Sequence, residues 1–444
     1  MTQSSTFTRI HLRSVALSLV FLLSAVITIT ATGNEGWTQL RGPNGQGIAS
    51  NVKPPLTWSD TNNITWKVPT EQHGRSSPVV LGNRIWITTS IEKNVERKRI
   101  GSDDMQTASN ATIGASCFNR ADGKRLWHVT LFDIEKPQPV HFLNSWSTPT
   151  PVIENRRLYC DYGTFGTACL DADNGKEIWK KQIPMYHQVG PGSSPIVYDN
   201  LLILIRDGHD AQFVIALDKK TGETAWKTNR PPLAGSGGNV KKAFGTPMIT
   251  RIAEKVQMVT VGAQWLVSYD PSSGKEIWRV NHGKGFSLSS IPMIRDNIVY
   301  FGTGCFVPEL LAVNAGGQGD LAASNVIWRI KGQIPIMSIP LLVDDLIYCV
   351  ADNGTASCID TKDGSVVWRK QITGTYLASP IYAMGRIYFF NQKGKTTVLK
   401  AGREFEVLAE NRLEIEGDLV ATPAFFDKAI YLRTDSHLYR IEEK

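Results

Sequence analysis

One eleven-residue pattern recurs five times in this chain and limits what it can fold into. Ala216–Trp226 reads ALDKKTGETAW. Cys117–Trp127 (CFNRADGKRLW), Cys169–Trp179 (CLDADNGKEIW), Ser268–Trp278 (SYDPSSGKEIW) and Cys358–Trp368 (CIDTKDGSVVW) follow the same grammar. A small residue is followed two places on by Asp or Asn, then Gly after four residues and Trp after four more. The Gly supplies the positive φ of a tight hairpin turn, and the Asp side chain can bond the turn amides, so each copy reads as strand, turn, strand. A unit repeated at this spacing implies a repeat architecture, each copy burying its apolar face against the next.

Ahead of each hairpin lies a second signal: small residues and a Pro opening a short apolar strand. It occurs eight times, as SSPVV at Ser76, STPTPV at Ser147, SSPIV at Ser193, GTPMI at Gly245, SSIPMI at Ser289, SIPLL at Ser338, ASPIY at Ala378 and ATPAF at Ala421. A turn and a second apolar strand come next (RIWIT, RLYCD, LLILI, NIVYF, LIYCV, RIYFF, AIYLR), with KVQMVTV in the fourth unit. Four short strands per unit, with no helical periodicity, predict propeller blades. The seventh unit departs, with Phe405 and Val407 near the Trp position. The eighth stops after three strands at IEEK. The segment NITWKVP, Asn63–Pro69, looks like a fourth strand without the preceding three, so it is expected to close the last blade and remove two sheet edges. The fold class predicted is all-β: an eight-bladed β-propeller of four-stranded antiparallel blades over residues 63–444, preceded by an irregular Gly-rich segment, 34–62. Trp66, Trp127, Trp179, Trp226, Trp278, Trp328 and Trp368 are expected to slot between neighbouring blades. A buried Trp removes ~200 Å² from water, or ~5 kcal/mol as an upper bound.

Composition excludes several classes. With 42% hydrophobic and 20% charged residues the chain is not predominantly disordered. The net charge of +7 is scattered, and its densest run, Glu92–Asp104, mixes both signs, so no nucleic-acid patch is expected. Residues 1–33 have the layout of a secretory signal peptide: Arg9, His11 and Arg13, an apolar run from Val15 to Ile29, then small residues. An uncleaved N-terminal anchor is the alternative, and the only membrane contact the sequence implies. Cys160 and Cys169 flank one hairpin turn symmetrically, and Cys349 and Cys358 another. They are expected either to face each other as disulfides, which an exported protein permits, or to serve as small buried residues.

The repeats resemble the pyrroloquinoline-quinone (PQQ)-type repeat, in which the ALDKKTGETAW-like unit is the tryptophan-docking motif of eight-bladed quinoprotein propellers. That repeat also builds the scaffold subunit of the bacterial outer-membrane protein assembly machinery. The segments WTQLRGPNGQG, HFLNSWSTPTPV, YGTFGTACLD and TTVLKAG look like exported PQQ-like propeller proteins of planctomycete-type bacteria. The resemblance implies a fold rather than an activity. Quinoprotein alcohol dehydrogenases carry adjacent cysteines, a Ca²⁺ site of Glu, Asn and Asp, and a catalytic Asp. This chain has no Cys-Cys pair and its motifs assemble no such set. The scaffold subunits are lipoproteins, and the leader here lacks the Cys that lipid attachment needs.

In a propeller, the loops between blades and those joining strands two and three share the funnel face. Its candidate binding residues are His73, Arg75, His141, Asn144, Trp146, His187, Arg206, Asp207, His209, Asp210 and Trp265. RDGHD (Arg206–Asp210) is the densest: two carboxylates and an imidazole could bind a divalent metal or move protons, although its spacing fits no metal motif and Asp-Gly also makes plain turns. Trp146 and Trp265 could form a stacking floor for a flat ligand. No catalytic residue is assigned and no metal site is expected. The first functional reading is an exported, monomeric, non-catalytic module that binds a protein or small ligand at its funnel face in the periplasm or cell envelope, with no required cofactor. The alternative is a PQQ- and Ca²⁺-dependent alcohol or sugar dehydrogenase.

Overall fold

The structure, a computed structural model, describes residues 1–2, 36–70, 74–235, 237–306 and 308–443. The chain divides into Met1–Gly33 and Asn34–Lys444. The expected leader therefore lies almost wholly outside the described residues, and the second unit carries all of the repeats. No helix among the described residues is long and apolar enough to cross a membrane.

The repeated hairpin forms as its residues dictate. The Asp218 carboxylate accepts hydrogen bonds from the amides of Lys220 (2.8 Å) and Thr221 (3.0 Å), and Gly222 takes φ 76°. Those amide bonds favour the ionised acid and hold Asp218 below the usual carboxylate range. A bulge lies between Ala216 and Leu217, and the two strands pair with Ala216 opposite Trp226. Cys117, Cys169, Ser268 and Cys358 stand opposite Trp127, Trp179, Trp278 and Trp368 in the same way.

Eight antiparallel sheets share one plan of four strands, in chain order in the first seven. The second, for example, runs Val152–Glu154, Arg157–Asp161, Thr167–Asp171 and Glu177–Lys181. The fourth, Met248–Asn281, gains a fifth strand, Gly319–Asp320, and the first carries an added three-stranded sheet of Glu96–Ile100, Asp103–Thr107 and Val140–His141. The eighth has three strands from the C-terminal end, Ala424–Phe426, Ala429–Arg433 and His437–Glu442. Its fourth is Ile64–Pro69, paired antiparallel to His437–Glu442. The closing strand expected from NITWKVP is therefore present.

Apolar clusters fill the spaces between successive sheets. The indoles bridge those spaces. Trp179 donates to the carbonyl of Lys219 (3.0 Å), Trp226 to Pro271 (3.2 Å), Trp328 to Thr361 (2.9 Å), Trp368 to Gly402 (3.3 Å) and Trp66 to Arg120 (3.0 Å). Each acceptor lies in the following sheet's hairpin. The ring rests on the hairpin Gly in several copies: a Cβ on Gly222 would lie 2.7 Å from the Trp179 ring. Trp278 departs, donating to Gln257 within its own sheet (2.8 Å). Between the first and second sheets the Ala172 carbonyl is taken by Trp86, on the second strand, while Trp127 rests on Gly175.

Two expectations need correction. In the seventh sheet the residue at the Trp position is Ala409, opposite Val398, rather than Phe405 or Val407. Tyr159, Tyr300, Tyr348 and Tyr431 each pack on the indole of their own sheet. Their counterpart Tyr388 packs on Trp58 instead, at 6.4 Å between centroids and 13° between planes. Trp58 comes from the 34–62 segment, is buried, and donates its backbone N–H to Asn411 Oδ1 (2.8 Å). The segment thus supplies the aromatic that the seventh repeat lacks. Of the two cysteine alternatives, the disulfides fail on register and the small buried residues stand. Cys160 stands opposite Ala168 and Cys169 opposite Tyr159; Cys349 stands opposite Ser357 and Cys358 opposite Tyr348. An offset of one residue turns the paired side chains to opposite faces, out of reach of a disulfide. Cys160, Cys169, Cys349 and Cys358 are buried free thiols, and burial pushes each up to about 12.

Candidate functional site

The eight Pro-containing openings converge on one cavity of about 620 Å³, which residues from all eight border. The residue before the Pro has a defined job there. A proline holds its predecessor extended, which leaves that residue's N–H pointing sideways toward the next sheet. Ser77 N donates to Thr150 Oγ1 (3.0 Å), Thr150 N to Ser194 Oγ (3.0 Å), and Ser194 N to Thr246 Oγ1 (2.9 Å). Further on, Ile339 N donates to Ser379 Oγ (2.9 Å) and Ser379 N to Thr422 Oγ1 (3.0 Å). The hydroxyls of Thr150, Ser194, Thr246, Ser379 and Thr422 therefore each accept the amide of the residue at the same position one repeat earlier. Where Ile291 and Ile339 stand in that position there is no hydroxyl to accept. From the eighth sheet, Arg433 reaches the first, donating to the carbonyl of Ser76 (3.1 Å), its hydroxyl (2.6 Å) and the carbonyl of Thr88 (3.0 Å).

One end of the cavity meets the segment WTQLRGPNGQG. Leu40 lines the cavity, and Arg41 beside it is fully buried. Its guanidinium donates to the carbonyls of Ile339 (3.1 Å), Pro380 (3.2 Å), Pro340 (3.1 Å) and Gln46 (3.0 Å). No carboxylate among the described residues balances it, and burial lowers it to about 9. Gly47, at φ 77°, makes room, since a Cβ there would sit 2.7 Å from Arg41 Nη2. The motif is a plug whose cation is held by carbonyls of the sixth and seventh openings.

The sequence-predicted residues distribute unevenly. Arg75, His141 and Asn144 line the cavity. Arg75 faces Asp435 at 3.4 Å and donates to the Phe142 carbonyl (3.2 Å). His141 Nδ1 accepts the Leu143 amide (3.2 Å), and burial lowers its pKa. Asn144 Nδ2 donates to Val189 (2.9 Å) and Pro191 (3.1 Å). The RDGHD residues point apart. Arg206 makes a buried two-point ion pair with Asp161 (2.7 and 3.0 Å), and Asp207 another with Arg230 (2.7 and 3.0 Å). Asp210 accepts the Tyr186 amide (2.8 Å), and the His209 ring lies edge-on to Tyr186. His187 is buried beside them, its Nε2 accepting the Thr164 amide (3.1 Å). Trp146 is buried between the first two sheets, donating to the Gln138 carbonyl (3.0 Å), and Trp265 lies under Arg279 and donates to Pro232 (2.9 Å). Neither tryptophan lines the cavity. His73 lies outside the described residues.

A family model described as outer membrane protein assembly factor BamB matches residues 109–256 and 262–441. The chain belongs to this family. Among its relatives, the tetrathionate hydrolase of Acidithiobacillus ferrooxidans is 23% identical over 363 residues, covering 74% of this chain. The outer membrane protein assembly factor BamB of Moranella endobia is 20% identical over 272 residues, covering 58%. The match spans 65% of either relative's own length. Among solved structures, the quinohemoprotein alcohol dehydrogenase from Comamonas testosteroni superposes with a TM-score of 0.64 at 11% identity, covering 92% of this chain and 81% of that one. That likeness establishes the fold: the BamB-family chain is a PQQ-like β-propeller.

The quinoprotein relatives raise the fit of PQQ with Ca²⁺. Among the described residues no three His, Cys, Asp or Glu side chains converge on one point. The cavity's carboxylates, Asp103 and Asp352, are already engaged, by Gln188 (3.3 Å) and by the Ile336 amide (3.1 Å). The residues present do not compose such a cation site. Neither Lys242 nor Asp103 is among the binding candidates named from the sequence, although both line the cavity. Asp103 reaches the cavity because the Glu96–Thr107 hairpin folds back and pairs with His141, a long-range contact that no repeat signal encodes.

Proposed function

We propose that this BamB-family chain is an exported eight-bladed PQQ-like β-propeller that acts as a non-catalytic scaffold in the cell envelope and holds a protein or small ligand at the cavity where its blades converge. The eight sheets are read as blades of one ring, with the indoles docking each blade on the next. The observation that carries the reading is the state of the cavity's polar groups. Five of its hydroxyls, those of Thr150, Ser194, Thr246, Ser379 and Thr422, are committed to bonds between neighbouring sheets, and Arg75, His141 and Asn144 to backbone or ion-pair partners, which suits a rigid binding mouth. Family membership supports an envelope setting and a protein partner. The leader, residues 1–33, is read as the export signal, and the mature chain as a monomer.

Two measurements test this. Calorimetric titration of PQQ with Ca²⁺ should give no heat at ~100 μM protein and ligand, a regime where a working cofactor saturates. Binding at micromolar concentration or better would replace the scaffold with the dehydrogenase reading. Determining the N-terminus of the chain from its source cell should find a start near residue 34 in an envelope fraction; a full-length cytosolic chain would overturn export.

A further inference from the structure

Lys242 is 5% exposed and borders the cavity, yet among the described residues its ammonium has neither a hydrogen bond nor an ion pair. Only its backbone carbonyl is engaged, accepting the Ser287 amide at 2.8 Å. Arg75, His141, Asp103 and Asp352, which also line the cavity, each have a partner: Arg75 has Asp435, His141 the Leu143 amide, Asp103 the Gln188 amide group, and Asp352 the Ile336 amide. A buried charge without a partner is costly. The cavity that it borders is also lined by apolar residues, among them Leu143, Val189, Phe244, Phe286, Ile336 and Leu377. A cavity of about 620 Å³ lies in the range of small-molecule sites, which combine an apolar lining with a few convergent polar groups.

We infer that the cavity binds a small apolar monocarboxylate, its carboxylate on Lys242 Nζ and its chain or ring against the apolar wall. The head is a monoanion because Asp103 and Asp352 share the lining and would repel a dianion. Burial lowers the Lys242 pKa, and the Asp103 carboxylate acts against that fall. The inference rests on reading this cavity as the binding mouth, and deepens it by naming the ligand class.

The test is calorimetry on the purified chain with octanoate, octan-1-ol and octylamine as probes. Octanoate should bind, with the alcohol at least about tenfold weaker and the amine undetected. Lys242→Met should weaken octanoate at least about tenfold and leave octanol unchanged, while Lys242→Arg retains octanoate. Equal binding of acid and alcohol, no binding of octanoate up to millimolar concentration, or an unaffected Lys242→Met would each overturn the inference. Should Lys242→Met fail to fold, the acid-to-alcohol ratio on the wild-type chain decides alone. A protein partner captured at the cavity with no octanoate binding would leave the scaffold reading standing and sink this one. Saturation by PQQ with Ca²⁺ would sink the scaffold reading, while the octanoate result, taken without the quinone, is still read on its own.

Discussion

Arg41 shows how one residue ties the Gly-rich segment to the sixth and seventh openings. Its guanidinium meets carbonyls of residues that lie just ahead of strands, outside the ladders, so Arg41→Met should cost about 3 kcal/mol by leaving several buried acceptors unpaired. Urea unfolding checks the value. Two histidines make stability depend on pH. Burial, and then Arg206, pushes His187 down to about 3, and burial pushes His282 to about 4, from 6.5. The unfolded chain therefore binds more protons between those values and 6.5, so stability is complete above that pH and falls on acidification. The slope is at most about 1.4 kcal/mol per pH unit for each group. Urea midpoints at about pH 7 and about pH 5 should differ in that direction, and His187→Gln, which keeps an acceptor for the Thr164 amide, should reduce the difference. A slope unchanged by that substitution would remove His187 from the account.

At the scale of the hairpin, the same glycine conformation carries different weight in different turns. Gly222 and Gly385 both have φ above 70°, but a Cβ on Gly222 meets the Trp179 ring whereas nothing lies within 4 Å of one on Gly385. Gly385→Ala should cost about 1 kcal/mol of backbone strain alone. Gly222→Ala should cost about 1–3 kcal/mol more, because the indole must move. Equal thermal shifts for the two would mean that the indole does not rest on the turn. The Pro-containing opening was legible as a repeat signal, but its purpose was not. Ser379 and Thr422 belong to different repeats, and only their assembly shows that the hydroxyl of one holds the amide of the other.

At the scale of the molecule, closure depends on chain that lies outside the repeats. Residues 64–69 cover the last edge, Trp58 packs on Tyr388 of the seventh sheet, and Arg41 binds carbonyls of the sixth and seventh openings. A chain starting at residue 71 should expose two strand edges and self-associate, read as a shift to larger species on size exclusion. Trp58→Ala should cost about 3–5 kcal/mol and render residues 36–62 sensitive to protease. Sequence alone determined the four-stranded unit, its eight openings and the closing strand, because periodicity two, Asp-Gly turns and prolines act through neighbours a few residues apart. It was silent on what residues hundreds of positions apart do together. Arg206 and Asp207 read as a reactive cluster, yet adjacent strand residues point to opposite faces: Arg206 found Asp161 in another strand, and Asp207 found Arg230 just past the end of one. The cysteine pairs looked opposed, and a one-residue register offset separated them. Lys242 became a candidate ligand group only when the tertiary structure buried it at a cavity with apolar lining and gave Arg75, His141, Asp103 and Asp352 partners, because solvation and pairing are properties of the assembled cavity rather than of any stretch of chain.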